Sequence, residues 1–222
     1  MKFDYWVVTN AVKLGTSIMC RIDAPNLQDV PNSGPLILYS NHTGQIEIPL
    51  LYSHLQPRPT KGIAKVETWD GWFLRWVFTL WDAIPIHRGE ADMSAMRLSF
   101  ESLKNNEILV IAPEGTRNLT GKLIRAQPGI ITLALRSGAP LLPMVHWGGE
   151  KLLSNLKRLK RTDFHIRVGK PFRLDPGNER PTKEVRQQMV DEMMYRLAAM
   201  LPEYYRGEYS DLENATSQYI SE

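Results

Sequence analysis

A single cysteine, Cys20, occurs in 222 residues. One thiol cannot build a disulfide framework or a thiolate metal cluster, and it fits a reducing compartment. Long apolar runs are also missing. None reaches the ~18 residues that a membrane-spanning helix needs, and the longest candidate, Trp72–Ile86, is broken by Arg75 and Asp82. The start of the chain has no basic stretch followed by an uninterrupted apolar segment, so no secretory signal is expected. Charge of either sign is not in excess. The 27 Lys and Arg against 24 Asp and Glu leave +3, which gives no bulk electrostatic reason to expect nucleic acid as a partner. There is no internal repeat and no low-complexity tract.

Several catalytic signatures are missing too. No G-x-S-x-G elbow and no H-E-x-x-H occurs, and the five histidines are scattered. Gly115–Lys122 approaches a phosphate-binding P-loop, but its glycines are six apart where five are required, and Leu123 stands where Ser or Thr belongs. Covalent Ser or Cys catalysis and a bound metal are therefore not expected.

What is present is enough apolar residue, 43%, for the core of one domain. A unit recurs along the chain: strand, turn with polar residues, helix, strand. Strands are predicted at Leu36–Tyr39, Gly62–Lys65, Ala83–Ile86, Ile108–Ala112, Ala139–Val145 and, interrupted by Gly169-Lys170-Pro171, Phe164–Leu174. Helices are predicted at about Gln45–Leu55, Asp92–Asn105, Ile130–Arg136 and Pro181–Leu201. This alternation predicts an α/β fold, with a largely parallel or mixed sheet flanked by helices and polar residues gathered at strand ends. Three regions follow: an amphipathic helix in residues 1–24, the main domain in 25–205, and a polar tail, expected to fray, in 206–222.

In the first helix Phe3, Val7, Ala11, Leu14, Ile18 and Ile22 recur in steps of four and three, with Asn10, Lys13, Ser17 and Arg21 opposite. Asp4 is placed to cap it. That apolar stripe can pack on the domain's own core or lie in a membrane interface, with Tyr5 and Trp6 at headgroup level. Trp69, Trp72, Trp76 and Trp81 concentrate four of six tryptophans in one stretch, which suits an aromatic core helix, an acyl-chain tunnel or a membrane interface. Lys151, Lys157, Arg158, Lys160 and Arg161 form a basic cluster, read either as a solvated helix face or as a contact for anionic headgroups or phosphates.

The stretch Leu36–Pro49 carries the chemistry. Its apolar run stops at Ser40-Asn41, and His42 follows on the turn before a helix. Glu47 comes five residues later. Five residues on one α-helix leave two side chains roughly 140° apart, so the two meet only if His42 lies ahead of the helix and Glu47 reaches back from its first turn. Asn41 or Thr43 could cap that helix. The pair reads as a general base with the carboxylate that orients it, or as a strand-end histidine beside an unrelated glutamate.

Four ordered blocks resemble the glycerolipid acyltransferase family, best known for lysophosphatidic acid acyltransferases. Asn41-His42 with Glu47 matches the family's His-x4-Asp block, with Glu in place of Asp. Ile84–Gly89 matches an apolar run ending in arginine. Pro113-Glu114-Gly115-Thr116-Arg117 matches a family block letter for letter, and Pro140–Val145 matches a proline-centred strand. Ala64-Lys65 and Val168–Pro171 add to the likeness, which covers about Pro35 to Leu174. Pro128, before Gly129, departs from it.

The resemblance implies a glycerol-phosphate acyltransferase type of fold and the transfer of a fatty acyl group from an acyl thioester to a lysophospholipid hydroxyl, most naturally that of 1-acylglycerol 3-phosphate. In that reading His42 is the base and Glu47 its orienting group. Arg117, Lys65 and Arg88, with main-chain groups of Gly115 and Thr116, bind the acceptor's phosphate, and Glu114 orders the loop. No bound cofactor is implied. The co-substrate is acyl-CoA or an acyl carrier protein, which would then be a partner. Attachment is peripheral, on the cytoplasmic face of a membrane. Other acceptors (glycerol 3-phosphate, a lyso-aminolipid, a glycolipid precursor), a thioester hydrolase and a non-catalytic lipid-binding module stay open.

Overall fold

The computed structural model describes residues 3–44, 46–87, 89, 92–177 and 180–222. Helix α1 (Phe3–Met19) leads into strand β1 (Cys20–Asp23), which is followed by β2 (Leu36–Ser40), α2 (Glu47–His54), β3 (Thr60–Lys65), α3 (Trp72–Leu80), β4 (Ile84–Ile86), α4 (Met93–Lys104) and β5 (Ile108–Ile111). The second half runs α5 (Gly129–Ser137), β6 (Leu141–Trp147), α6 (Leu152–Leu156), β7 (Thr162–Val168), β8 (Arg173–Leu174), α7 (Lys183–Met200) and β9 (Ile220–Ser221).

Seven of these strands form one sheet in the order β1-β7-β6-β2-β5-β3-β4. Strands β2 to β6 run parallel, so their carboxyl ends share one edge, while β7 is antiparallel to β6 and β1 is parallel to β7. The mixed, largely parallel sheet expected from the alternating pattern is therefore present. Every residue of β2 is buried, as a central strand covered on both faces requires. Its alternate side chains feed two cores: Ile37 and Tyr39 pack with residues of α4, α5 and α7, whereas Leu36 and Leu38 pack with Leu50 and Leu51 of α2.

One departure from a regular ladder matters for the site. β3 pairs with β5 only over Thr60–Gly62, and from Ile63 to Lys65 it pairs with β4 instead. The sheet thus forks after Gly62. A Cβ there would come within 3.0 Å of the Tyr52 hydroxyl, so glycine lets α2 lie close against the fork.

Two expectations are corrected, and the direction of the first helix's stripe, left open by the sequence, is set. Residues 20–22 leave the first helix and form β1, because Cys20–Asp23 finds a partner in Thr162–His165. Within α1, Tyr5, Val8, Thr9, Val12 and Thr16 turn inward, and the stripe Val7, Ala11, Leu14 and Ile18 is exposed. The tail does not fray: buried Glu192 on α7 accepts the Thr216 hydroxyl at 2.6 Å and the main-chain N–H groups of Gln218 and Tyr219, both at 3.0 Å. Tyr209 is buried and donates to Asp191 at 3.0 Å. Gly207 approaches Leu123 so closely that a Cβ would collide with its main chain.

The tryptophans separate as well. Trp81 is buried and stacked on Tyr52 at 4.8 Å, Trp69 lies ahead of α3 and meets Phe78 edge-on at 5.7 Å, and Trp72 and Trp76 are exposed. No helix of the described residues is long and apolar enough to cross a membrane.

Candidate active site

The turn after β2 places His42 as the spacing required. α2 begins at Glu47, so His42 lies five residues ahead of the helix and Glu47 occupies its first turn. His42 Nδ1 and Glu47 Oε1 are 2.7 Å apart, and the same oxygen accepts the Gly44 N–H at 2.8 Å. A carboxylate at Nδ1 keeps the ring proton there, which leaves the lone pair of the neutral imidazole at Nε2. Burial by itself pushes the Glu47 carboxyl up. The hydrogen bonds from His42 and from the Gly44 N–H outweigh it and hold the group at about 2. Its position at the helix N-terminus favours the anion further.

The expected caps do other work. The N-cap of α2 is Ile46, which has no side-chain acceptor. Asn41 instead reaches across to β6: its Nδ2 donates to the His146 carbonyl at 2.8 Å, its Oδ1 accepts the His146 N–H at 3.0 Å, and its own carbonyl accepts from His146 Nε2 at 2.7 Å. Burial drives the His146 pKa down, so the ring is neutral with its proton on Nε2. This clamp fixes the residue before His42. It was not expected, because it joins positions 105 apart in sequence and no local pattern marks it. The Thr43 hydroxyl is buried and caps nothing among the described residues.

Glu114 grips the other side of the turn. Its Oε1 accepts the His42 main-chain N–H at 2.9 Å, and its Oε2 accepts the Ile124 N–H at 3.1 Å. Asn118 N–H donates to the His42 carbonyl at 2.9 Å. Burial, opposed by those two N–H groups and reinforced by Glu47, raises the Glu114 carboxyl to about 7.

His42, Glu47 and Gly115 line a cavity of about 470 Å³. Its wall passes through the fork in the sheet, with Gly62, Ile63 and Ala64 on one arm and Val110, Ile111 and Ala112 on the other. Apolar residues of α2, α4 and α5 complete it. Volume and lining suit an apolar ligand met by a few polar groups.

The cations expected to bind phosphate are placed less closely. Arg117 and Thr116 are exposed on the loop after β5, beyond the cavity wall. That loop is nonetheless tied to His42 through Glu114 and Asn118. Lys65 ends β3, next to Ala64 of the cavity wall, and two strand positions from β2. Arg88 lies outside the described residues. No group of three or more potential metal ligands occurs among the described residues.

A family model described as "Acyltransferase" matches residues 21–147, more than half of the chain and all of the turn, fork and loop just described. The chain belongs to the acyltransferase family. This acyltransferase is 26% identical over 218 residues to a protein from Bacillus subtilis (strain 168) named 1-acyl-sn-glycerol-3-phosphate acyltransferase, covering 96% of this chain and 99% of that one. It is 33% identical over 115 residues to a protein of the same name from Limnanthes douglasii, covering 50% of this chain and 41% of that one. It is 23% identical over 176 residues to a chloroplastic one from Brassica napus, where it covers 77% of its own length and 51% of the relative's. The acyltransferase thus spans nearly all of the Bacillus relative and about half of these plant ones. Its fold is similar to the crystal structure of the 1-acyl-sn-glycerophosphate acyltransferase PlsC from Thermotoga maritima, with a TM-score of 0.64 at 21% identity over 85% of this chain and 76% of that one.

Proposed function

We propose that this acyltransferase moves a fatty acyl group from an acyl thioester, acyl-CoA or acyl carrier protein, to the free hydroxyl of 1-acylglycerol 3-phosphate. The observation that carries the reading is the 2.7 Å contact between His42 Nδ1 and Glu47 at the wall of an apolar cavity. An alcohol becomes a competent nucleophile when a base removes its proton during attack. His42 Nε2 takes that proton as the hydroxyl oxygen attacks the thioester carbonyl. Glu47 holds the ring's orientation and stabilises the imidazolium, the arrangement of a hydrolase triad with the substrate's hydroxyl in place of serine. When the tetrahedral adduct collapses, the C–S bond breaks and the thiolate leaves, recovering the proton from the imidazolium. No covalent enzyme intermediate is required.

The acyl chain occupies the cavity at the fork. The acceptor's phosphate lies toward the loop of Gly115, Thr116 and Arg117, with Lys65 and Arg88 as further cations and arginine able to grip phosphate through two parallel hydrogen bonds. Glu114 orders that loop and seats His42 without meeting substrate. Because the acceptor is a lipid, the enzyme works at a membrane surface, held peripherally. Trp6, Val7, Leu14 and Ile18 of α1 and Trp72 and Trp76 of α3, all exposed, support that attachment.

The test is purified protein with a labelled acyl donor and a panel of acceptors: 1-acylglycerol 3-phosphate, glycerol 3-phosphate, a lyso-aminolipid and water alone. Label moving into diacylglycerol 3-phosphate supports the reading. Thioester cleavage that no added alcohol diverts refutes it in favour of a hydrolase.

A further inference from the structure

The segment joining α6 to β7 holds a leucine where the backbone favours glycine. α6 ends in a Schellman motif: Lys160 N–H donates to Asn155 O at 2.9 Å and Leu159 N–H to Leu156 O at 3.0 Å. The residue between, Leu159, is left-handed at φ 52°. Such positions are usually glycine because a Cβ is strained there. Leu159 is also 97% exposed, so its side chain returns almost no burial to the folded chain. Leu153 and Leu156 on α6 are exposed as well, at 72% and 38%.

Around this tip Lys151, Lys157, Arg158, Lys160 and Arg161 are all exposed. The flanking carboxylates are engaged elsewhere: Glu150 accepts the Tyr205 hydroxyl at 2.7 Å, and Asp163 is paired with Arg21 at 2.5 Å. The segment leaves β6 at its carboxyl end and enters β7 where β7 pairs with that end, His165 opposite Trp147. It therefore projects from the same edge of the sheet as His42. Gly149, at its base, lies against Ile46, the N-cap of α2, where a Cβ would come within 3.1 Å. Arg161 donates to Ser17 O at 2.7 Å and Cys20 O at 2.6 Å, which brings the end of α1, with Ile18 64% exposed, alongside the loop.

We infer that residues 151–161 form a docking wedge for an anionic lipid bilayer, in which Leu159 inserts among the acyl chains and Lys157, Arg158 and Lys160 engage the headgroup phosphates. An apolar tip flanked by exposed cations is complementary to a surface that is apolar inside and anionic outside. The occupant is the bilayer that supplies the acceptor, so the inference deepens the membrane part of the proposed function and fixes which end of the molecule faces the lipid.

Leu159→Gly separates strain from docking. It relieves the left-handed leucine and raises Tm by about 2–4 °C, while partitioning onto phosphatidylglycerol-containing vesicles falls about tenfold for the loss of one inserted side chain. Replacing Lys157, Arg158 and Lys160 with Gln lowers that partitioning about fivefold per charge and removes the preference over pure phosphatidylcholine vesicles. A fluorophore on Leu159→Cys, specific because Cys20 is buried, is quenched by brominated acyl chains. Vesicle binding unchanged in Leu159→Gly, equal binding of the wild type to neutral and anionic vesicles, or an unquenched probe overturns the inference. With substrates presented in detergent micelles, Leu159→Gly keeps wild-type turnover, whereas His42→Ala loses turnover but still binds vesicles, so failure of the wedge and failure of the chemistry are read separately.

Discussion

The main-chain N–H of His42 donates to Glu114 Oε1 at 2.9 Å, so the residue that presents the imidazole is seated by a carboxylate that does not meet the ring. Two glutamates thus divide the work, one on the ring and one on the backbone. Their environments drive them apart: Glu47 is held at about 2 and Glu114 is raised to about 7.

Glu114 makes stability fall with pH across neutrality. Unfolded, its carboxyl titrates near 4.5; folded, near 7. Between those values the folded chain keeps a proton that the unfolded chain has released. The contribution is complete below 4.5 and is lost as pH rises through 7, each unit of separation being worth about 1.4 kcal/mol. Melting curves from pH 5 to 8 show this slope in the wild type. Glu114→Gln flattens it, and costs about 1–3 kcal/mol because an amide cannot accept both N–H groups.

His42→Ala lowers turnover by roughly 10²–10⁴-fold and leaves Tm within a few degrees of wild type. Glu47→Gln keeps the volume but removes the anion that fixes the tautomer, and lowers kcat rather than raising KM. Glu47 adds a stability term of opposite sign to that of Glu114, present above 4.5 and lost as pH falls through about 2. Steady-state kinetics with both variants check these outcomes. Near-wild-type rates in His42→Ala would remove the base assignment.

Arg117→Ala raises KM for the phosphorylated acceptor roughly tenfold or more, the scale of a charge-assisted hydrogen bond. It leaves KM for the thioester near wild type. Lys65→Ala, two strand positions from His42, has a smaller effect on the same constant. An equal loss for both substrates would point to loop disorder instead of a lost phosphate contact.

Ser99→Leu fills part of the cavity. Ser99 is buried, lines the cavity and, among the described residues, donates only to its own helix, to Ala95 O at 2.7 Å. Its hydroxyl is therefore dispensable to the catalytic turn. The variant shifts donor preference toward shorter acyl chains, measured as kcat/KM across a chain-length series. An unshifted profile with an intact fold would place the acyl chain elsewhere.

Much of this site was legible because it is local. The apolar run stopping at Ser40-Asn41 marked His42 as a turn residue, and the five-residue step to Glu47 required that placement if the two were to meet. The β-branched run at Ile108 marked a buried strand for the same kind of reason. What escaped was set by distant partners. Cys20–Asp23 continues the helical periodicity of α1, and only pairing with Thr162–His165 makes it a strand. The outward stripe of α1 was visible as a stripe, but its direction depends on Tyr52, Val77 and Trp81, against which Tyr5 and Val12 pack. Asn41 read as a cap, and its partner His146 lies on another strand. The fork after Gly62 has no signature in composition or spacing.

The close approach at Gly207 reaches further than the tail itself. Leu123 donates its N–H to Tyr205 O at 2.9 Å and accepts from Glu208 N–H at 3.1 Å. The next residue, Ile124, is the second donor to Glu114, which holds His42. A relay of main-chain contacts, closed by the Glu114 carboxyl, therefore runs from the carboxyl-terminal region to the backbone that presents His42. Shortening the chain ahead of Gly207, or placing a side chain there, would loosen a catalytic group to which neither residue is adjacent.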